Sequence, residues 1–118
     1  GRVSLVKNNK KFSVQRSVAI LRTNEKVNSE YLYNFIQLNY FKLQIDIRKN
    51  TTAQSGIYLG ELEKIKIIFP KNISEQQKIA TILSNIDDKI KSQEQYKEKL
   101  EKLKKSLMQK LLTGEVRV

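Results

Sequence analysis

Near the N-terminus, Val3-Ser4-Leu5-Val6 and Ser17-Val18-Ala19-Ile20-Leu21 are short runs rich in β-branched residues, separated by the polar Lys7-Asn8-Asn9-Lys10-Lys11. Such runs around a turn-prone stretch predict two strands. From Leu32 the spacing changes. Leu32, Phe35, Ile36, Tyr40, Leu43 and Ile47 recur at helical steps, and Asn28 or Ser29 stands ahead of them as a cap. One amphipathic helix of about four to five turns is predicted. Arg48-Lys49-Asn50-Thr51-Thr52-Ala53-Gln54-Ser55-Gly56 is polar, small and basic, the composition of an exposed loop. After a connector from Ile57 to Leu62, Ile65-Lys66-Ile67-Ile68-Phe69-Pro70 reads as a third strand stopped by proline.

The last element has the longest pattern. Ser74-Glu75-Gln76-Gln77 has the form of a capping box, in which the Ser74 hydroxyl accepts from the backbone N–H of Gln77 and the Gln77 side chain reaches back. Beyond it Ile79, Leu83, Ile86, Ile90, Gln93, Tyr96, Leu100, Leu103, Leu107 and Leu111 follow at steps of three or four, close to a heptad repeat. Glu98 with Lys102 and Glu101 with Lys105 are favourable i,i+4 pairs, and Thr113-Gly114 marks the end. A helix over 75–112 is about 57 Å long at about 1.5 Å per residue. A compact domain of about 100 residues has a radius of gyration of only about 13 Å. The apolar stripe therefore needs a second helix, and no other pattern in this chain is long enough to supply it. Another chain is the expected partner, with Gln93 as the polar group that sets register.

Composition narrows the chemistry. The 118 residues include no Cys and no His, so a thiolate nucleophile, an imidazole base and the usual zinc or haem ligands are all excluded. A chain this short has little room for an enclosed substrate cavity. No metal and no cofactor is expected. Asp87 and Asp88 are adjacent acids, but neighbours on a helix point about 100° apart and do not readily share an ion. Glu61 and Glu63 belong to a loop-to-strand edge, and Leu59-Gly60-Glu61 is not a phosphate cradle.

The net charge is +11, which points to a polyanionic partner. The first 24 residues hold six basic groups and no acid. Because these charges sit in predicted strands and turns rather than on one face of a helix, nucleic acid is the expected partner and not a membrane. Arg2, Lys7, Lys10, Lys11 and Arg16 are the candidate phosphate contacts of this segment. The loop supplies the rest: Arg48 and Lys49, the amides of Asn50 and Gln54, and the hydroxyls of Thr51, Thr52 and Ser55, groups suited to phosphates and base edges. No run of 18 apolar residues is present and the start is unlike a signal peptide, so a cytoplasmic location is expected. With Met108 as its only methionine, the chain reads as a fragment of a longer protein.

The strand ending in Pro70, the Ser74-Glu75-Gln76-Gln77-Lys78-Ile79 start of the long helix, and its close in Leu107-Met108-Gln109-Lys110-Leu111-Leu112-Thr113-Gly114 resemble the C-terminal half-repeat of the specificity subunit of type I restriction-modification systems. In that family the helix opens with S-E-Q-x-x-I and closes with L-x-x-x-L-L-[ST]-G. Ser29-Glu30-Tyr31-Leu32, Thr51-Thr52-Ala53-Gln54-Ser55-Gly56-Ile57 and Gly1-Arg2-Val3 are similar to parts of its target recognition domain. The resemblance implies a non-catalytic module of host defence that reads half of a bipartite site in double-stranded DNA. It also implies docking of methyltransferase and restriction subunits, with two helices packed antiparallel as the spacer. Only 73 residues precede Ser74, fewer than such a domain has, so its first half is expected to be missing.

The expected architecture is α+β. Residues 1–73 would form part of a recognition domain, a small β-sheet with one packed helix. Residues 74–113 would form a spacer and dimerisation helix, in an antiparallel coiled coil with a second chain, and 114–118 a tail. Homodimer contacts are assigned to 79–112, through Ile86, Ile90, Gln93, Tyr96, Leu100, Leu103, Leu107 and Leu111. An alternative is an assembly module whose truncated recognition domain is inert toward DNA.

Overall fold

The computed structural model describes residues 2–8, 10–49 and 56–118. Among the described residues four helices follow in order: α1 over Ser29–Ile36, α2 over Asn39–Arg48, α3 over Leu59–Leu62 and α4 over Ile73–Leu112. Two compact units divide the chain, Gly1–Thr81 and Ile82–Val118.

No β-strand is present among the described residues, which corrects the expected α+β class and its small sheet. A strand exists only through a neighbour that takes up its backbone groups. The two N-terminal runs have none: Val6, Val18, Ile20 and Leu21 are about half exposed, and the Val18 N–H donates to Gln15 O at 2.9 Å in a local turn. Residues 65–70 form no regular element, yet their burial alternates as a strand's would, with Ile65 buried and Ile67 half-buried while Lys66 and Ile68 face solvent. Side chains stand where a second strand would be. The Gln44 amide bonds both backbone groups of Lys66, each at 2.9 Å, and the Tyr31 hydroxyl donates to Ile68 O at 3.0 Å.

The single helix expected across 32–47 is two. At Gln37 and Leu38 the backbone tightens to three-residue bonds, Gln37 N–H to Asn34 O at 3.2 Å and Leu38 N–H to Phe35 O at 3.1 Å. Leu38 then turns extended, with φ −65° and ψ 147°, and caps α2. The corner brings aromatic rings together. Phe41 lies edge-on to Phe35 at 6.5 Å and 84°, a favourable aromatic geometry. Phe35, Phe41 and Ile65 are the centre of the core, with Tyr31, Ile36, Ile45, Ile57, Leu62 and Ile67 around them. Leu43 and Ile47, assigned by the pattern to the apolar face, are exposed instead.

The start of α4 also differs from expectation. Asn72, not Ser74, is the cap: its Oδ1 accepts from the Ser74 N–H at 2.9 Å, while its carbonyl accepts from Glu75 and Gln76. Gln76 and Ala80, one turn apart, are the buried residues of the helix. At the other end Gly114 has φ +76°, the left-handed conformation that glycine reaches at little cost. The Thr113 hydroxyl donates to Gln109 O at 2.6 Å. Both close α4 at the predicted place.

Candidate nucleic-acid interface and pairing face

Within residues 1–81 the cations singled out from the sequence lie at the surface. Arg2, Lys10, Lys11 and Arg16 are exposed. Lys7 is exposed as well and pairs with Glu30, in the first turn of α1, at 3.4 Å. Such a solvent-bathed pair contributes little to stability, so Lys7 can exchange Glu30 for a phosphate at small cost.

Arg48 and Lys49 are placed by the end of α2. Arg48 is half-buried, and its Nη1 donates to Gln44 O at 3.1 Å, a cation on one of the last carbonyls of a helix. The Lys49 ammonium lies 2.8 Å from Asp46. Its hydrogen bond and charge hold the Asp46 carboxyl below the usual carboxylate range. The two cations therefore serve α2 itself in this arrangement. Asn50, Thr51, Thr52, Gln54 and Ser55 lie outside the described residues.

Gln76, which the sequence marks only as part of the helix opening, is a fully buried polar side chain, 0 % exposed. Its Oε1 accepts from the Asn28 N–H at 2.8 Å, and its Nε2 donates to Lys26 O at 2.9 Å and to Pro70 O at 2.7 Å. Two signals were available: its place as the Q of the S-E-Q-x-x-I opening, and its spacing of four from Ala80, which places both on the same side of α4.

In residues 82–118, every residue assigned to pairing lies on α4 with its apolar surface open. Ile86, Ile90 and Tyr96 are 53 %, 51 % and 59 % exposed, and Leu100, Leu103, Leu107 and Leu111 between 42 % and 55 %. Ile86, Ile90 and Gln93 line one shallow groove with Lys89. Leu100, Leu103, Leu107 and Leu111 line another with Lys104 and Met108. An apolar stripe of this length in water is the signature of an interface. Its charges are polarised: residues 82–94 carry two basic and three acidic groups, residues 95–112 six basic and two acidic.

No group of three or more acidic residues is placed to hold a metal among the described residues. No described helix is long and apolar enough to cross a membrane. Exposed cations on the small helical core and an unfilled apolar stripe along the long helix are the two features that the described residues offer to partners.

The sequence matches the type I restriction modification DNA specificity domain over residues 1–102, and the chain belongs to that family. It is 37 % identical over 109 residues to the type I restriction enzyme MjaX specificity subunit of Methanocaldococcus jannaschii, an alignment that covers 92 % of this chain and 25 % of the relative. With the MjaVIII specificity subunit of the same organism it shares 35 % over 104 residues, 88 % of this chain and 24 % of the relative. The chain thus spans about a quarter of the length of the curated relatives it matches. No solved structure matches it.

Proposed function

We propose that the chain is part of the non-catalytic, DNA-reading component of a type I restriction-modification complex. In this reading it binds double-stranded DNA, positions the methyltransferase and restriction subunits, and pairs with a second copy through residues 79–112. Membership of the specificity-domain family over residues 1–102 carries the reading. The acid-free, sixfold basic segment 1–24 supplies its chemistry. Arg2, Lys7, Lys10, Lys11 and Arg16 neutralise phosphates and release counterions, while Arg48, Lys49, Asn50, Thr51, Thr52, Gln54 and Ser55 supply groups suited to base edges.

Charge supports a head-to-tail register for the helix pair. In a parallel pair the strongly basic halves of the two copies would lie side by side. Reversing one helix sets residues 82–94 of each copy, with their acidic excess, against the basic residues 95–112 of the other, which replaces repulsion by attraction along the seam.

A salt titration of DNA binding tests the reading. Five phosphate contacts give a logarithmic slope of about −4.5, a loss of about 500-fold in affinity between 50 and 200 mM salt. Pairing through leucines should hardly respond over the same range. Intact pairing without salt-dependent DNA binding would instead identify the inert assembly module.

A further inference from the structure

Asn28 caps α1 by accepting the Tyr31 N–H on its Oδ1 at 2.9 Å. In a complete capping box the third residue of the helix would return the favour by accepting the cap's own N–H. Here that third residue is Tyr31, which has no acceptor to offer there, because its hydroxyl reaches Ile68 O instead. The missing acceptor comes from 48 residues away, as Gln76 Oε1 takes the Asn28 N–H at 2.8 Å. Both protons of the same amide are used as well, on Lys26 O and Pro70 O. The side chain is fully buried, and no buried side-chain polar atom lacks a partner among the described residues.

We infer that Gln76 is a positioning residue, a capping box completed in trans, which makes the first turn of α1 conditional on the first turns of α4. A primary amide is the group the place demands. It presents one acceptor to an N–H and two donors to two carbonyls, and the carboxylate of Glu could satisfy only the first. Leu or Met would satisfy none, leaving an N–H and two carbonyls buried without partners. The joint ties together the backbone before α1, the end of the 65–70 segment at Pro70, and the helix that follows. The first turn of α1 also carries Glu30, the partner of Lys7, so the joint extends to the basic segment. The inference goes beyond the DNA-reading proposal and stands or falls independently of it.

Hydrogen exchange on the whole 118-residue chain tests it, comparing the native chain with Gln76→Glu and Gln76→Leu. At pH 7.5 both variants should exchange the amides of Asn28, Tyr31 and Leu32 at least about tenfold faster, with residues 95–105 of α4 unchanged. In Gln76→Glu, after correction for intrinsic exchange, protection should return in part as pH falls toward 5, because a neutral carboxyl regains one of the two donors. In Gln76→Leu it should not. The pH arm is clean because the chain has no His and no Cys. The charged groups near the joint in sequence are Glu25, Lys26, Glu30, Lys71, Glu75 and Lys78; Gln76→Leu keeps all of them, so any pH response of theirs appears equally in that variant. Unchanged protection of α1 in both variants would overturn the inference. So would a loss spread equally through residues 95–105, or a Gln76→Glu profile without pH recovery.

Discussion

Gln44 and Lys66 face one another as two residues do across a sheet, although one of them belongs to a helix. The Lys66 N–H donates to Gln44 Oε1, and Gln44 Nε2 donates back to Lys66 O, both at 2.9 Å. Through this pair an isolated segment keeps its register against α2, with Ile65 turned toward Phe35 and Phe41.

Gln44→Ala should lower the stability of residues 1–81 by about 1 kcal/mol, toward the low end for two hydrogen bonds because the pair is open to water. Gln44→Glu should cost more, since its carboxylate meets the Lys66 carbonyl without a donor between them. Urea unfolding followed by aromatic fluorescence measures both. Equal stability in all three chains would show that packing alone holds the segment.

Head-to-tail pairing makes a specific pairing of positions along α4. Aligning the first and last assigned contacts sets Ile86 opposite Leu111 and Ile90 opposite Leu107 in the partner. The chain has no cysteine of its own, so introduced thiols report cleanly. The double variant Ile90→Cys with Leu107→Cys should form covalent dimers on mild oxidation, and Ile90→Cys alone should form few. Efficient crosslinking by the single variant would indicate parallel helices.

If the paired helices set the distance between two DNA half-sites, their length is a ruler. Deleting one heptad from within residues 91–104 keeps the stripe in phase and removes about 10 Å. The preferred spacer should shorten by about three base pairs, at about 3.4 Å each. Site selection from a randomised-spacer library measures this, and an unmoved preference would defeat the ruler idea.

The parts of the fold that could be read from the sequence are those that depend on nearby residues. The stripe from Ile79 to Leu111 announced α4, and Gly114 ended it where predicted. The family was legible in the same region and in Pro70. The sheet was not, because β-branched runs record only a local preference, whereas a strand needs a neighbour at a distance in sequence. Nothing at Gln37 or Leu38 resembles a breaker, since neither is Gly or Pro. The helix divides there because the corner lets Phe41 reach Phe35, a gain that no window of sequence contains. Gln76 escaped notice for the same reason: two of its partners lie 48 and 50 residues away. As for the candidate interface, charge located Lys10, Lys11 and Arg16 at the surface correctly. It did not foresee that Arg48 and Lys49 would be occupied with their own helix.

Residues 10–22 are exposed throughout, although they hold four of the six cations of the first segment. Substitution of a solvated side chain seldom moves stability by more than about 0.5 kcal/mol. This stretch can therefore drift, gain or lose charge, and try new side chains without endangering the helices that follow. Under the DNA-reading proposal, the residues that would meet the partner are not those that hold the fold, so one scaffold could carry many different surfaces.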